Sequence, residues 1–237
     1  MEQLAAWLDN FRQQFVFNII EGNRYQMLLS GLGTTAIVAA GAAIIGVILG
    51  CLIALMRISN ARIGKWYFLR RISSVYVDTI RGTPVVVQLM IMYYVIMAAY
   101  TGPKVMVAIL SFGLNSAAYV SEMVRGGILA VDKGQTEAGR SLGLSAGATM
   151  RLIVLPQALK IILPSLFNEF IALLKETSVV GFIGLMDLTK AGDYIRSRTY
   201  SAFFPLITVA IMYLIIVIGL TRLFEKLEKG VRQGDSH

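Results

Sequence analysis

The sequence predicts an all-α membrane protein with five spanning helices. Composition is the first reason: 56% of the 237 residues are hydrophobic and 15% are charged, against about 25% charged in soluble domains. The second is patterning, because residues 25–56, 82–103 and 199–221 hold no charged side chain. A helix needs roughly 20 apolar residues to cross the hydrocarbon core. The third is length, since five crossings leave little chain for a separate soluble domain.

The amino-terminal segment, 1–24, carries five charges. Leu4, Leu8, Phe11, Phe15 and Ile19 fall on one helical face, with Arg12, Gln13 and Gln14 off that stripe. An amphipathic helix lying on the outer membrane surface is expected, rather than a sixth crossing. Glu2 and Asp9 stand where a cleavable signal peptide would be basic and then apolar.

The spans are predicted at about 27–56, 79–100, 104–124, 157–180 and 202–222, within a membrane domain of 25–224. Charge sets their direction. After the first span come Arg57, Arg62, Lys65, Arg70, Arg71 and Arg81 against Asp78 alone. Such a basic excess marks the cytoplasmic side. The first span then runs inward, which puts the N-terminus outside. The segment 125–151 lies inside, 187–198 forms an outer loop, and the tail 225–237 is cytoplasmic. The same rule accounts for the net charge of +8 without invoking nucleic acid. Residues 60–80 fit either an interfacial helix or the inner start of a long, tilted second span.

The fourth span is the most polar, with Lys160, Glu169, Lys175 and Glu176, and Pro156 and Pro164 bend its beginning. One cysteine, Cys51, and one histidine, His237, leave almost no material for a metal site or for Ser-His or Cys-His catalysis. No catalytic residue and no metal ligand is assigned.

Between the third and fourth spans runs Glu137-Ala138-Gly139-Arg140-Ser141-Leu142-Gly143, and nine residues later Ile153-Val154-Leu155-Pro156. Glu137 suits the positive end of a short helix, Gly143 permits a sharp turn, and Pro156 marks a helix start. Leu144, Ala148, Met150 and Leu152 supply apolar anchors. The pattern resembles the EAA loop of bacterial ATP-binding-cassette (ABC) import permeases: Glu-Ala-Ala, three residues, Gly, nine residues, Ile, one residue, Leu-Pro. Gly139 replaces the usual second Ala. The resemblance implies the type I ABC importer permease (MetI-like) fold. It also implies that 132–156 docks on an ATPase subunit through Glu137, Ala138, Gly139, Gly143, Ile153, Leu155 and Pro156.

Three further stretches narrow the branch. They are Arg81-Gly82-Thr83-Pro84 with Gln88 and Tyr93-Tyr94; Ala118-Tyr119-Val120-Ser121-Glu122 with Arg125-Gly126-Gly127-Ile128 and Lys133-Gly134-Gln135; and Asn168-Glu169-Phe170 with Lys175-Glu176-Thr177-Ser178. All three resemble permeases for polar amino acids such as histidine, arginine, lysine, glutamine, glutamate or cystine. The resemblance implies a multi-pass subunit of the bacterial cytoplasmic membrane. Its implied partners are ABC ATPase subunits, a second permease subunit (identical or homologous) and an extracytoplasmic solute-binding protein. No Gly-x-x-x-x-Gly-Lys-Ser/Thr loop occurs in the chain, so ATP and Mg are expected on the ATPase partners and no cofactor on this chain.

Polar residues inside a membrane face a cavity or a partner. Ser111, Asn115, Tyr119 and Glu122 form one helical stripe in the third span. They line the substrate path or act as interhelical glue, with Glu122 paired to Arg125. Gln88, Asn168, Glu169 and Thr177 carry the same two readings. The competing function classes are an autonomous secondary transporter or channel, and a membrane enzyme. No internal repeat supports the first, and the scarcity of His and Cys opposes the second.

Overall fold

The computed structural model describes residues 1–58 and 65–233. Residues 59–64, with Arg62 of the basic segment, and 234–237, the end of the predicted tail, lie outside the described residues. Among the described residues every regular element is a helix.

Helix α1, Glu2–Phe15, is amphipathic as expected, and continues through a wider turn at Val16–Ile20. Leu4, Leu8, Phe11 and Phe15 remain exposed. Phe11 and Phe15 meet the ring of Phe204 edge-on at 5.1 and 6.4 Å, and Ile19 is buried beside Leu28 and Leu188. Positive φ at Gly22 (62°) and Asn23 (54°) ends this segment, and α2, Arg24–Ile58, follows.

Helix α2 packs on α5, Lys104–Leu129, along most of its length. The pairs Gly41–Ile109, Gly46–Ser116 and Gly50–Val120 advance together in both sequences, so the two helices run parallel. A Cβ on Gly46 would lie 2.7 Å from Ser116 Oγ, and one on Gly50 would lie 2.6 Å from the Val120 side chain. Small residues give membrane helices this approach. Parallel packing has a topological consequence: the chain between them must return across the membrane.

That return is the broken pair α3, Lys65–Arg81, and α4, Val85–Ile91, the latter extended by a wide turn at Met92–Ile96. The axis bends by 109° between 68–81 and 85–96. The sequence predicts the second span as one helix over 79–100; the helix breaks instead at Gly82-Thr83-Pro84. Pro84 has no N–H and drives Thr83 out of the helical region. Within 60–80, for which the sequence allows two readings, the chain is helical from Lys65, with Phe68, Ile72 and Val75 exposed on one face.

Helix α8, Leu155–Glu176, runs antiparallel to α5, since Ser116 bonds Glu169 while Gly127 packs on Ile162. A tight turn at Thr177–Ile183 extends it. Helix α10, Phe203–Gln233, is antiparallel to α8 and stacks Phe224 on Phe167 at 4.3 Å. The predicted outer loop 187–198 is in fact a helix, α9, Leu188–Thr199. The Asp187 carboxylate caps it by accepting from the N–H groups of Thr189 and Lys190, both at 3.0 Å. Leu188 N donates to Thr35 Oγ1 at 3.2 Å, which fastens α9 to α2. Four long apolar helical runs plus the broken pair give five crossings.

Gly50→Ala should lower the melting temperature of the detergent-solubilised protein, since overpacking costs about 1–3 kcal/mol. Gly33→Ala, on the same helix with nothing within 4 Å of an added Cβ, should leave it unchanged or raise it. Equal behaviour of the two variants in a thermal-shift assay would remove the seam from the account of stability.

Candidate functional site

The segment after α5 folds as a compact hairpin. Helix α6, Lys133–Ser141, begins at Asp132, whose carboxylate accepts from Gly134 N at 2.6 Å. It ends in a turn in which Leu142 N bonds Ala138 O at 3.0 Å and Leu144 N bonds Gly139 O at 3.2 Å. Gly143 adopts φ +84°, which a non-glycine residue reaches only under strain. Ser145 then caps α7, Ala146–Thr149, by accepting from Ala148 N at 3.2 Å. A wide turn, Met150–Val154, leads into α8.

Gly139 is the clamp of this hairpin. It is buried, and an added Cβ would meet Thr149 Cγ2 at 2.8 Å and Ile153 Cδ1 at 2.9 Å. Gln157 Nε2 donates to Gln135 Oε1 at 3.2 Å, tying α8 to α6. Glu137, Ala138, Gly143, Leu155 and Pro156 are exposed, and Ile153 is half-buried. Leu142 stands at the tip with 81% exposure. The expected anchors divide: Leu144 and Ala148 are half-buried, whereas Met150 and Leu152 face outward. The hairpin is thus braced from inside and offers an acid, small residues and several large apolar side chains outward, Leu142 and Leu152 foremost.

The polar stripe of α5 separates into two groups. Ser111 and Asn115 are buried within the chain. Asn115 Nδ2 donates to Gln88 Oε1 at 2.9 Å. Gln88 Nε2 in turn donates to Ile80 O at 2.8 Å and to Thr83 Oγ1 at 2.8 Å. Gln88, held in place by Asn115, thereby satisfies the Ile80 carbonyl oxygen, for which Pro84 offers no N–H. Thr177 is likewise buried and donates to Leu174 O at 2.9 Å. Asn168 is exposed on α8, and the neighbouring Glu169 accepts from Ser116 Oγ at 2.8 Å.

Tyr119 and Glu122 form the second group, at the end of α5 that meets the end of α2. Glu122 takes Arg57 on one carboxylate oxygen and Arg125 on the other, the latter at 2.6 Å. Arg81 reaches it at 4.0 Å and stacks its guanidinium over Tyr119, 5.5 Å from the ring centroid. The pairing of Glu122 with Arg125 was visible at i,i+3 spacing. Arg57 and Arg81 come from α2 and α3, and no local signal announces them.

At the opposite end of the helices, α9 carries a smaller ion cluster. Asp193 accepts from Arg196 at 2.7 Å and from Lys190 at 2.9 Å. The Arg196 hydrogen bond, followed by that of Lys190, holds the Asp193 carboxyl below its usual range.

Comparison with known proteins agrees with this architecture. The family model of binding-protein-dependent transport system inner membrane components matches residues 46–233. The arginine transport system permease protein ArtQ of Bacillus subtilis is 39% identical over 210 residues, covering 88% of this chain and 94% of that protein. The glutamine transport system permease protein GlnP of Escherichia coli K12 is 34% identical over 217 residues, covering 90% and 93%. A crystal structure of an amino acid ABC transporter with histidines superimposes with a TM-score of 0.80 at 39% identity, covering 86% of this chain and 94% of that one. The inward-facing MetNI methionine ABC transporter shares the fold, with a TM-score of 0.75 at 21% identity.

Glu122→Ala strands Arg57, whose side chain is only 13% exposed. Losing hydrogen bonds to a charged group costs about 1.5–3 kcal/mol, so the variant should melt several degrees lower. Asp193→Ala removes an exposed cluster worth roughly 0–1 kcal/mol. It should melt close to wild type in the same thermal-shift series.

Proposed function

Because the chain belongs to the binding-protein-dependent transport system inner membrane component family, we propose that it is the translocating subunit of an ABC importer for polar amino acids. The observation that carries this reading is the braced hairpin 132–156. It keeps its docking residues exposed while Gly139 locks α6 onto Thr149 and Ile153. A separate ATPase grips it, and closure of that motor moves α5 and α8, which flank the hairpin. ATP and Mg belong to that motor. A solute-binding protein delivers the amino acid at the opposite face, where α9 lies, and a second permease subunit completes the path. The setting is the bacterial cytoplasmic membrane.

The substrate class follows the names of the relatives, which are permeases for arginine and glutamine. Within this chain the path runs beside α8, where Asn168 is exposed and Glu169 sits behind it against Ser116. The Asn115–Gln88 pair ties α5 to α4, Thr177 bonds within its own turn to Leu174 O, and Ser111 is buried, so these side chains leave solute contact to their neighbours. The pair of permeases switches between two states whose populations ATP shifts.

Two measurements test the proposal. Proteoliposomes holding the chain with its ATPase and binding protein should take up a polar amino acid only with ATP. Uptake by the chain alone would make it an autonomous transporter or channel. Gly143→Trp has open space within 4 Å of its Cβ but forces an L side chain to φ +84°, at about 1–2 kcal/mol. It also places a large ring on the docking surface. Membrane insertion should survive and uptake should fall at least tenfold. Normal uptake by this variant would rule out the hairpin as the coupling element.

A further inference from the structure

The geometry points to a phosphate-binding pocket at the junction of α2, α3 and α5, built to hold the headgroup of an anionic phospholipid of the inner leaflet. The pocket has a volume of about 290 Å³ and is lined by Arg57, Ile58, Arg70, Ser74, Arg125 and Leu129. Three arginines from three helices therefore converge on one cavity. Their local counter-charge is Glu122, already shared between Arg57, Arg125 and Arg81. One carboxylate against four guanidinium groups leaves the site strongly positive. Asp78, the nearest acid along α3, is exposed and makes no ion pair among the described residues.

Donors remain for a ligand. Each guanidinium carries five N–H groups. Glu122 engages Nη1 of Arg57, and Nε and Nη2 of Arg125. Arg70 is exposed and makes no ion pair among the described residues, although it forms a wall of the cavity. The Ser74 hydroxyl adds a neutral donor. A phosphodiester matches this set, because guanidinium forks bind phosphate oxygens in pairs.

The surroundings favour a lipid over a free anion. The pocket opens where the apolar α2 ends, and Ile58 and Leu129 contribute apolar wall, the latter 64% exposed. Helix α3 sets Arg70 and Ser74 on the pocket side and Phe68, Ile72 and Val75, all exposed, on its far side. One helix thus faces acyl chains with one side and the charged cavity with the other. Basic pockets between spanning helices on the cytoplasmic side are suited to anionic headgroups. The inference uses only the membrane topology and is independent of the transported solute.

The test uses the full-length chain purified in detergent and titrated with dioctanoyl phosphatidylglycerol, dioctanoyl phosphatidylcholine or inorganic phosphate, with melting temperature as the readout. Phosphatidylglycerol should stabilise the wild type, and phosphatidylcholine should not. Arg70→Gln leaves the Glu122 cluster intact and should weaken the response about fivefold, the scale for one basic residue near an anionic lipid surface. Arg71→Gln removes the same charge outside the pocket and should weaken it less than about twofold. Equal protection by inorganic phosphate and by phosphatidylglycerol would overturn the lipid assignment in favour of a free phosphate. Equal losses for Arg70→Gln and Arg71→Gln, or no response to either anion, would overturn the pocket itself.

Discussion

The close, parallel contact of α2 with α5 is the constraint from which the other features follow. Glycines at 41, 46 and 50 let the two backbones approach until an added methyl would collide with Ile109, Ser116 or Val120. Lipid gives helices no hydrophobic reason to associate, so packing and hydrogen bonds must supply the attraction. Since the two helices point the same way, the chain between them has to cross back. The pairing also brings the ends of α2 and α5 together on one side. Arg57 there meets Glu122, and the basic cavity forms beside them. At the other end, Gly31 and Thr35 of α2 hold the start of α9, with Leu188 N bonded to Thr35.

The return crossing carries a local cost of its own. A 109° break in a spanning segment frees backbone oxygens that need donors from elsewhere in the chain. Gln88 and Asn115 answer this cost as a pair, one bonding the broken turn and the other holding the first in place. Two polar side chains that resemble pathway groups in a one-dimensional reading are thereby committed to structure. The same economy appears at Ser116 and Glu169, which join α5 to α8 beside the proposed path.

Outside the apolar region, glycine serves the hairpin in two ways. Gly139 is needed because nothing larger fits beneath Thr149 and Ile153. Gly143 is needed because the turn takes a left-handed conformation. A rigid hairpin on the ends of two packed spans transmits displacement, whereas a mobile loop of the same composition would absorb it. In the proposed coupling role the exposed residues of the motif serve recognition, while the buried glycine supplies stiffness.

Much of this was legible in the residues themselves. Charge-free stretches located three of the five crossings, because the cost of burying charge acts on each segment separately. The basic excess after the first span set the expected direction, and fixed spacing marked the hairpin 132–156, since its turn and caps are local. The break at Gly82-Thr83-Pro84 carried a local signal in Pro84, yet whether proline bends a span or divides it depends on who receives the freed oxygens. That receiver, Gln88 with Asn115, is set by packing. The docking of α9 on Thr35, the bond between Ser116 and Glu169, and the approach of Arg57 and Arg81 to Glu122 were decided only by tertiary structure. Each joins residues distant in sequence, and no periodicity of one helix records which face of another will lie against it.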